Sequence, residues 1–514
     1  MPYLRKGELL PVKGYDLSVP SLFTKDGYGA PSDMQYDRGQ MRKRDGKSQF
    51  GDPSIGNLNF IHLDVFSMSN KIQRLMAHTR RQVYNYNTST KKFDDLTGWN
   101  DLTGGDTDYF DSCTIPELDW YLFTNYVDNI RKIANVGNSS DLGGSPPKAK
   151  CIEYMTPYVF IANLNQGGLA SPTKGAWCDT GNPENWAAGG NSNAGSHLFT
   201  NDPSEIMRVK KMGEYLFVYK AGMSYRGWLV STADIFDFIT HSLDRGLYAP
   251  RSLVDADSKH FYMGANNFHV NNGVRIDDIG ESVREYVFGR LNRSVNNSCF
   301  AMPVLEFKEI WFFITVTGHD VPTEVWKYKY DLGFWYKDTV FNVLCGTNYK
   351  RTSGVRWIDL IGTWLDQTWR WSDQTGQADS PLQVFGNDKG ICVVRDPLKH
   401  NDNGDIYIGR METRDYCGIG DSGQIGIEDD QEWYQLDFFA SGSSVDIYYS
   451  TDEGNNWKFL KTKELTQEIK KNSVFFDVVA PTIRFRIENR DPIGFFTLRS
   501  LIPYYLDSGN IEAP

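Results

Sequence analysis

The feature that most constrains this chain is the steady return of short apolar runs separated by turns that contain Asn or Gly. Residues 206–288 display it best: Ile206 and Val209 precede a Gly-containing turn, and a second apolar run at 216–219 follows it. Asn and Gly tolerate positive φ angles, so turns of this kind reverse the chain between antiparallel strands. The stretch predicts a strand pair, a turn, a second strand pair and a short helix.

Helical periodicity occurs once in the same stretch. Asp277 and Asp278 stand near the N-terminal end of the periodic segment, where the helix dipole favours acidic side chains. We therefore predict one helix near 275–288 and strands elsewhere. The apolar residues that recur at helical spacing are Ile276, Ile279, Val283 and Val287.

Short strands of the same kind continue along the chain and predict an all-β fold. We expect the strand at 58–65 to pair with that at 82–86, and the strand at 118–123 to pair with that at 130–133. Aromatic residues make up 14% of the chain and Gly is abundant, a mixture that suits strands and tight turns. Repeated units of this kind are typical of a β-propeller, but unequal intervals between them give no blade count. Several units end in a turn followed by tryptophan, at Trp99, Trp186, Trp335 and Trp457.

The ends of the chain differ from its middle. Pro11, Pro20 and Pro31 interrupt an extended N-terminal segment, and a hairpin is predicted at 34–46. A Gly/Asp-rich stretch at 416–431 marks a boundary, after which the chain forms either a last blade or a small sandwich. The predicted regions are 1–50, an N-terminal arm and hairpin; 51–425, the β-propeller body; and 426–514, a C-terminal β unit.

Charge and cysteine content argue against several classes of protein. The net charge of −11 disfavours tight phosphate binding, and the densest basic cluster, Arg42-Lys43-Arg44, is interpreted as a solvated strand edge or turn. The seven cysteines form no Cys-x-x-Cys pair, so we expect reduced core thiols made in a cytoplasm. No apolar run is long enough to cross a bilayer, and the first residues lack the apolar segment of a signal peptide.

One local motif is specific. Residues 450–457 match the Asp-box pattern S-x-D-x-G-x-x-W, in which Ser and Asp side chains hydrogen-bond turn amides. Gly adopts a conformation that other residues avoid, and Trp packs beneath the turn. We interpret the motif as a structural hairpin turn. Its residues are Ser450, Asp452, Gly454 and Trp457.

The Asp-box also occurs in sialidases, which hold a carboxylate with a cluster of arginines. Arg208, Arg284 and Arg290 are candidates for such a cluster, yet nothing in their spacing singles them out. The sequence contains no Gly-x-Ser-x-Gly and no phosphate-cradling Gly-x-x-x-x-Gly-Lys-Ser/Thr, since Met41 stands where the tripeptide at 46–48 would need the first glycine. We assign no catalytic residue and predict that the chain is not an enzyme.

The sequence offers candidate metal and sugar sites, but a structural role is favoured for each. The eight histidines are isolated, and the acidic groups at 106–108 and 402–405 lack the full pattern of a calcium loop, so solvated turns are favoured. The tryptophan-rich stretch at 357–371 could stack sugars, but packing in a β core is the commoner role. No cofactor-binding and no metal-binding residue is predicted.

The order of elements over most of residues 30–345 resembles one known family. The chain looks like the β-propeller structural proteins of bacteriophage tails and necks, the nozzle, tail-hub or DNA-stabilisation proteins of short-tailed phages. The stretches that carry the resemblance are the hairpin at 34–46, the segment 123–128, the turn at 182–186 and the core at 206–288.

That resemblance implies a virion component of the tail or neck, synthesised in the host cytoplasm. It implies a cyclic ring, taken as a hexamer, that contacts portal, adaptor or tail proteins while genome DNA passes through without specific binding. We expect an acidic or neutral ring channel and an arm at 1–30 that lies over a neighbouring subunit. The alternative is a carbohydrate-binding or glycan-hydrolysing propeller, either a receptor binder or a sialidase-like enzyme.

Overall fold

Strands make up most of the protein. The structure, a computed structural model, describes residues 4–6, 10–11, 14–18, 29–51, 58–105, 108–135, 137–230, 235–340, 342–350, 381–419, 425–426 and 430–507. Within these ranges the only α-helix, α1, has five residues, Arg284–Phe288. No helix in the described part of the chain is long and apolar enough to cross a membrane. Single turns of 3-10 helix occur at Pro116–Leu118, Pro250–Ser252, Arg293–Ser298 and Leu305–Phe307.

The N-terminal region contributes six strands. The predicted hairpin is present, since β4 and β5 pair antiparallel with the turn at Arg38 and Gly39. The strands are β1 (Leu4–Lys6), β2 (Leu10–Pro11), β3 (Gly29–Ser32), β4 (Met34–Asp37), β5 (Gln40–Lys43) and β6 (Gly46–Phe50).

Four-stranded antiparallel sheets then follow one another along the chain. The first four blades use the strands β7 (His62–Ser67), β8 (Gln73–His78), β9 (Val83–Asn87) and β10 (Lys92–Asp95); β11 (Asp111–Ile115), β12 (Trp120–Thr124), β13 (Arg131–Ala134) and β14 (Ser140–Asp141); β15 (Lys148–Met155), β16 (Tyr158–Gln166), β17 (Leu169–Trp177) and β18 (Gly195–Leu198); and β19 (Ile206–Met212), β20 (Tyr215–Lys220), β21 (Ser224–Leu229) and β22 (Phe236–Ser242).

Three further blades complete the ring. Their strands are β23 (Val254–Ala256), β24 (Lys259–Met263), β25 (Phe268–Asn271) and β26 (Ile276–Asp278); β27 (Phe300–Val304), β28 (Glu309–Ile314), β29 (Glu324–Lys329) and β30 (Phe334–Thr339); and β31 (Val343–Tyr349), β32 (Leu382–Asn387) and β33 (Cys392–Asp396), with β6 as the fourth strand.

Within the described residues the fold is therefore a seven-bladed propeller, which confirms the predicted all-β, propeller-like class. Its ring closes in two ways. The innermost strand of the seventh blade, β31, contacts β7 of the first. The outer edge of the seventh blade is β6, which pairs with β33 so that Gly46 lies opposite Asp396. Residues 46–50, grouped with the arm by the sequence analysis, thus tie the start of the chain to its last blade.

Apolar layers between neighbouring blades hold the ring together. Between the third and fourth blades, for example, Phe160, Val209 and Leu216 are fully buried in one cluster. A similar cluster lies between the seventh and first blades. Burying a large apolar side chain contributes about 1.5–3 kcal/mol relative to leaving it exposed, so each layer stabilises the contact between two sheets.

The C-terminal region is a two-sheet sandwich. One sheet has the order β4-β5-β42-β37-β40, and β1 and β2 also pair with β42. In the other, β34 and β38 both pair with β41, and β3 links β34 to β30 of the sixth blade. The strands are β34 (Gly409–Thr413), β35 (Tyr416–Ile419), β36 (Ile425–Gly426), β37 (Gln431–Gly442), β38 (Val445–Ser450), β39 (Lys458–Lys463), β40 (Lys470–Ala480), β41 (Thr482–Asn489) and β42 (Phe496–Asp507).

Propeller and sandwich share one apolar core. A single cluster of buried residues includes Trp335 of the sixth blade together with Leu436 and Phe485 of the two sandwich sheets. Tyr15 belongs to the same cluster, and its backbone N–H donates to Trp335 O over 2.6 Å. The sandwich is therefore fixed to the sixth blade by side-chain packing as well as by β3.

Several local predictions need correction. The helix predicted near 275–288 is confirmed only for Arg284–Phe288. Ile276 instead begins β26, because its backbone pairs with Asn271 in the fifth blade. The strand at 82–86 does not pair with that at 58–65, since β8 lies between β7 and β9. The pairing of 118–123 with 130–133 is confirmed by the register of β12 and β13.

The arm also differs from expectation. We expected residues 1–30 to lie over a neighbouring subunit. Their described strands, β1 and β2, instead pair with β42 of the same chain, and Tyr15 packs on the sixth blade. Backbone groups at the open edge of β42 are satisfied in this way without a second chain.

Candidate functional site in the propeller channel

Residues from five of the innermost strands, β7, β19, β23, β27 and β31, line a cavity of about 320 Å³ in the propeller channel. Side chains on successive positions of a strand point to opposite faces, so alternate residues of these strands reach the channel. Three cations and two carboxylates line the cavity, namely Arg208, Lys210, Arg251, Asp64 and Asp255. With Asp111 and Glu153 behind them, we call these seven residues the channel cluster.

Most cations of the channel cluster have a carboxylate partner. Arg208 Nη2 lies 3.4 Å from Asp111 Oδ1, and Lys210 Nζ lies 3.2 Å from Glu153 Oε2. The charge of Glu153 raises the pKa of Lys210. Burial raises the pKa of Asp111 to about 6, against the opposing charge of Arg208. In this part of the channel, burial and the charge of an ion-pair partner therefore shift the pKa of a side chain in opposite directions.

Hydrogen bonds to backbone hold Arg208 in place. Its Nη1 donates to Pro250 O and Leu253 O, both over 3.1 Å, which ties the fourth blade to the start of the fifth. Its Nε, however, is buried and has no hydrogen-bond partner. The hydroxyl of Tyr109, a residue that is 4% exposed, is likewise without a partner. Burial raises the pKa of Tyr109 against the opposing charges of Arg208 and Arg251.

Arg251 differs from the other cations of the cluster. Its Nη1 donates to Asn297 O over 3.2 Å and its Nη2 to Leu344 O over 2.9 Å. Among the described residues no carboxylate lies within ion-pair distance of Arg251, and burial lowers the pKa of this guanidinium. Arg251 also borders a second cavity, of about 590 Å³, which Asp108 and Asp320 line.

The first blade adds a small polar chain to the channel. His62 Nε2 lies 2.9 Å from Ser112 Oγ, and Ser112 donates to Asp64. Burial holds the pKa of His62 well below its usual range and raises the pKa of Asp64. Although His, Ser and Asp occur together, Ser112 donates directly to the carboxylate. The histidine does not lie between them, as a base activating a serine nucleophile would.

A second group of charges lies where hairpin, propeller and sandwich meet. The carboxylate of Asp402 receives two bonds from Arg44, at 2.8 and 2.9 Å, and one from Lys47, at 2.8 Å. Arg44 Nε also donates to Asp33 over 2.8 Å, and its guanidinium stacks 3.5 Å from the Tyr407 ring. We call this the junction cluster; its members are Asp33, Arg44, Asp45, Lys47, Lys327, Asp338, Arg395 and Asp402.

The junction cluster corrects the interpretation of the basic stretch at 42–44. Lys43 and Arg44 are 1% and 4% exposed, so they are not a solvated edge. Burial lowers the pKa of Lys43 to about 8. Burial alone would raise the pKa of Asp402, but the charges of Arg44 and Lys47 outweigh it and hold that pKa below its ordinary value. The acidic group at 402–405 is thus bound to protein cations through Asp402.

The Asp-box turn joins β38 to β39, in the sandwich. Ser450 Oγ donates to Asp452 Oδ1 over 2.6 Å and accepts from Gly454 N over 3.0 Å, while Asp452 Oδ1 accepts from Asn456 N over 2.9 Å. Gly454 has φ +89°, and the Arg486 guanidinium lies 3.9 Å above the Trp457 ring. These bonds close the hairpin, and none of the four motif residues lines the channel.

The three candidate arginines do not meet. Arg208 lies in the channel, whereas Arg284 is exposed and pairs with Glu281, and Arg290 pairs with Glu324. The stretch at 357–371 and two residues of the acidic group at 106–108 lie outside the described residues. Arg251 and Tyr109 were missed, because their convergence from different blades leaves no local sequence pattern.

Comparison with known proteins gives only distant likenesses. No family model matches the chain, and no curated protein matches it. The Neurospora crassa Pan2 WD40 domain has a TM-score of 0.38 and 8% identity, covering 70% of this chain and 96% of that one. PorZ of the Porphyromonas gingivalis type-IX secretion system has a TM-score of 0.36 and 9% identity, covering 80% of this chain and 46% of that one.

One further likeness involves a carbohydrate-binding domain. The family 32 module of C. perfringens NanJ, solved with galactose, has a TM-score of 0.15 and 9% identity. It covers 20% of this chain and 69% of the module. Likenesses at these levels say nothing about what the chain does.

Proposed function

We propose that this chain is a non-enzymatic structural subunit of a bacteriophage virion, in the tail nozzle, tail hub or head-to-tail neck. The observation that carries the proposal is the extensive packing of the propeller against the sandwich. Both share one apolar core, β3 crosses between them, and the junction cluster ties the hairpin to the sixth and seventh blades. Such construction favours a load-bearing building block over a hinged enzyme.

The chemistry of the channel cluster supports the non-enzymatic part. Three of its four carboxylates are engaged: Asp111 accepts from Ile152 N over 3.0 Å and pairs with Arg208, Asp64 accepts from Ser112, and Glu153 pairs with Lys210. A nucleophile, a base and an orienting group are not aligned among the described channel residues. A net charge of −11 also suits a ring whose inner wall lets DNA slide, because phosphate contacts need Lys and Arg.

In this proposal the chain assembles into a cyclic ring, a hexamer, and the DNA runs along the ring axis. The propeller channel itself is not the conduit, because a cavity of about 320 Å³ blocked by paired side chains has no room for a duplex. Portal, adaptor or other tail proteins would bind above and below the ring.

The test locates the chain in the particle. Intact virions labelled with an antibody against this chain should show label at the tail or neck by negative-stain electron microscopy, and purified chain should form closed rings. An antibody against a capsid protein is the control. Unlabelled virions together with a persistently monomeric chain would overturn the proposal. Release of sugar from host polysaccharide, abolished by one carboxylate substitution, would support the glycan-hydrolysing alternative instead.

A further inference from the structure

A small cavity lies inside the junction cluster. Its volume is about 30 Å³, and a cavity of roughly 10–15 Å³ already has room for one water molecule. Trp311, Phe313 and Phe385 belong to its apolar lining, and members of the junction cluster line it as well. Every lining residue except Thr339 is buried, so the cavity is largely shielded from bulk solvent.

Three polar atoms of the lining residues have no hydrogen-bond partner within the protein. They are Gln35 Nε2, Asp45 Oδ1 and Asp338 Oδ1. The three residues are 2%, 6% and 2% exposed. A buried polar atom without a partner costs free energy, and folded proteins normally satisfy such atoms with protein groups or with ordered water. One donor and two acceptors at this cavity therefore need a partner.

The hydrogen bonds that these residues do make hold them close together. Arg42 Nη2 donates to Gln35 Oε1 over 3.3 Å and to Asp45 Oδ2 over 3.4 Å. Arg44 Nη1 donates to Asp45 O over 3.2 Å, and Arg44 Nε lies 3.7 Å from Asp338 Oδ2. Two shared arginines thus bring the three residues to one place. Because Gln35 Oε1 faces Arg42, the group of that amide left for the cavity is its N–H donor.

We propose that the junction cavity holds one ordered water molecule, bound to Gln35 Nε2, Asp45 Oδ1 and Asp338 Oδ1. Water can accept a hydrogen bond from the amide and donate one to each carboxylate oxygen, which satisfies all three atoms. Buried waters in proteins typically make about three hydrogen bonds. A metal cation fits less well, because one of the three atoms is an N–H donor. An anion fits less well, because the other two are carboxylate oxygens.

This water connects parts of the chain that are far apart in sequence. Gln35 lies on β4 and Asp45 lies between β5 and β6, whereas Asp338 lies on β30 of the sixth blade. The water therefore completes the polar contacts between the N-terminal hairpin and the propeller. The site is independent of the virion role, since it requires only the single chain.

A high-resolution crystal structure of the full purified chain tests the site directly. One density peak is expected in the cavity, at hydrogen-bond distances of about 2.6–3.2 Å from all three atoms. An empty cavity would overturn the proposal. A peak with more than three oxygen ligands at about 2.0–2.6 Å would also overturn it, because such a site holds a metal ion.

Cavity-filling variants test the site in solution. Val340→Ile and Val325→Ile each add one methylene to the lining and should displace the water. Oxygen-17 relaxation dispersion, which counts long-lived internal waters, should then show one fewer than in the wild type. Val479→Ile, at a valine that is 61% exposed, is the matched control and should keep the wild-type count.

The melting temperature gives a second readout with a predicted sign. Displacing the water leaves three buried polar atoms unpartnered, so Val340→Ile should lower the Tm. Filling a dry cavity would instead leave the Tm unchanged or raise it, because packing improves. Val325→Ile decides the question if Val340→Ile does not fold. A wild-type water count in the folded filling variants, together with an unchanged or higher Tm, would refute the site.

Discussion

The junction cluster and the channel cluster are both rich in charge, but the charged side chains are buried and fully paired at the junction and partly exposed in the channel. At the junction every cation has a carboxylate: Arg44 and Lys47 share Asp402, Lys327 pairs with Asp338, and Arg395 pairs with Asp45. In the channel the pairs are looser, one arginine has no described carboxylate partner, and a much larger cavity remains. Buried charge that is fully paired fixes structure, whereas charge beside open space is available for binding.

The pKa directions express the same difference. At the junction the charges of Arg44 and Lys47 overcome the effect of burial and lower the pKa of Asp402. In the channel, burial prevails over Arg208 and raises the pKa of Asp111 to about 6. The first carboxylate is stabilised as an anion by its surroundings, and the second is stabilised as the neutral acid.

Removing the central carboxylate of the junction should have the largest effect. Asp402→Ala leaves Arg44 and Lys47 buried without their shared partner, which should lower the free energy of unfolding by about 3–5 kcal/mol. Urea denaturation followed by tryptophan fluorescence measures the change. Asp244→Ala is the control, because that carboxylate is 72% exposed and should matter by less than about 0.5 kcal/mol. If Asp402→Ala lowers the free energy of unfolding by less than about 1 kcal/mol, the paired charges of the junction do not stabilise the fold as this comparison requires.

The two carboxylates should also respond to pH with opposite signs. The raised pKa of Asp111 means that its contribution is greatest below about pH 4 and is lost as pH rises through about 6. The stability of the wild type relative to Asp111→Asn should therefore increase by about 2–3 kcal/mol between pH 7 and pH 4. Relative to Asp402→Asn, it should stay level at neutral pH and fall as acid protonates Asp402.

Denaturation curves at a series of pH values measure both differences. Each variant is compared with the wild type at the same pH, so the titration of all other groups cancels. Parallel pH profiles for the two asparagine variants would show that the clusters do not differ in the balance of burial and pairing.

A third comparison sets a sandwich turn against a propeller turn. Gly454 has φ +89°, and a Cβ there would lie 2.7 Å from Arg484 Nη1, whereas Gly213 has φ +59° and open space around it. Gly454→Ala should lower the free energy of unfolding by more than about 1 kcal/mol, and Gly213→Ala by about 1 kcal/mol or less. Thermal unfolding of both variants tests the order. Equal losses would mean that the contact with Arg484 adds nothing to the backbone strain.

The sequence predicts the class of fold but not how it closes. Short strands with Asn and Gly turns are local features. The strands, the hairpin at 34–46 and the Asp-box turn can therefore be predicted from the sequence alone. The closing pair of β6 with β33 joins residues about 350 positions apart, from Gly46 to Asp396, and no local pattern encodes it. The predicted helix is present but begins at Arg284 instead of Ile276, because strand pairing of Ile276 with Asn271 outweighs a weak helical periodicity.

The candidate site is less predictable than the fold, for a related reason. Arg44 looks like a solvated basic residue in sequence, because its partners Asp33 and Asp402 come from distant segments. Arg251 follows a proline and has no charged neighbours in sequence, and only the ring of blades brings it to the same cavity as Arg208. Charge burial depends on long-range contacts, which periodicity and motifs do not report.

The smallest expected effect comes from removing one tyrosine hydroxyl near each cluster. Tyr407 Oη donates to Arg44 O over 2.6 Å in the junction, whereas the Tyr109 hydroxyl is buried near the channel cluster without a partner. Tyr407→Phe should therefore lower the free energy of unfolding by about 1 kcal/mol, the usual value of a lost hydrogen bond. Tyr109→Phe should be neutral or slightly stabilising, because it removes a desolvated group that makes no bond. Both variants lose the same atom, so differential scanning calorimetry compares the two sites directly. If Tyr109→Phe lowers the free energy of unfolding as much as Tyr407→Phe or more, the Tyr109 hydroxyl already makes a hydrogen bond in the protein. The two clusters would then not differ in this respect.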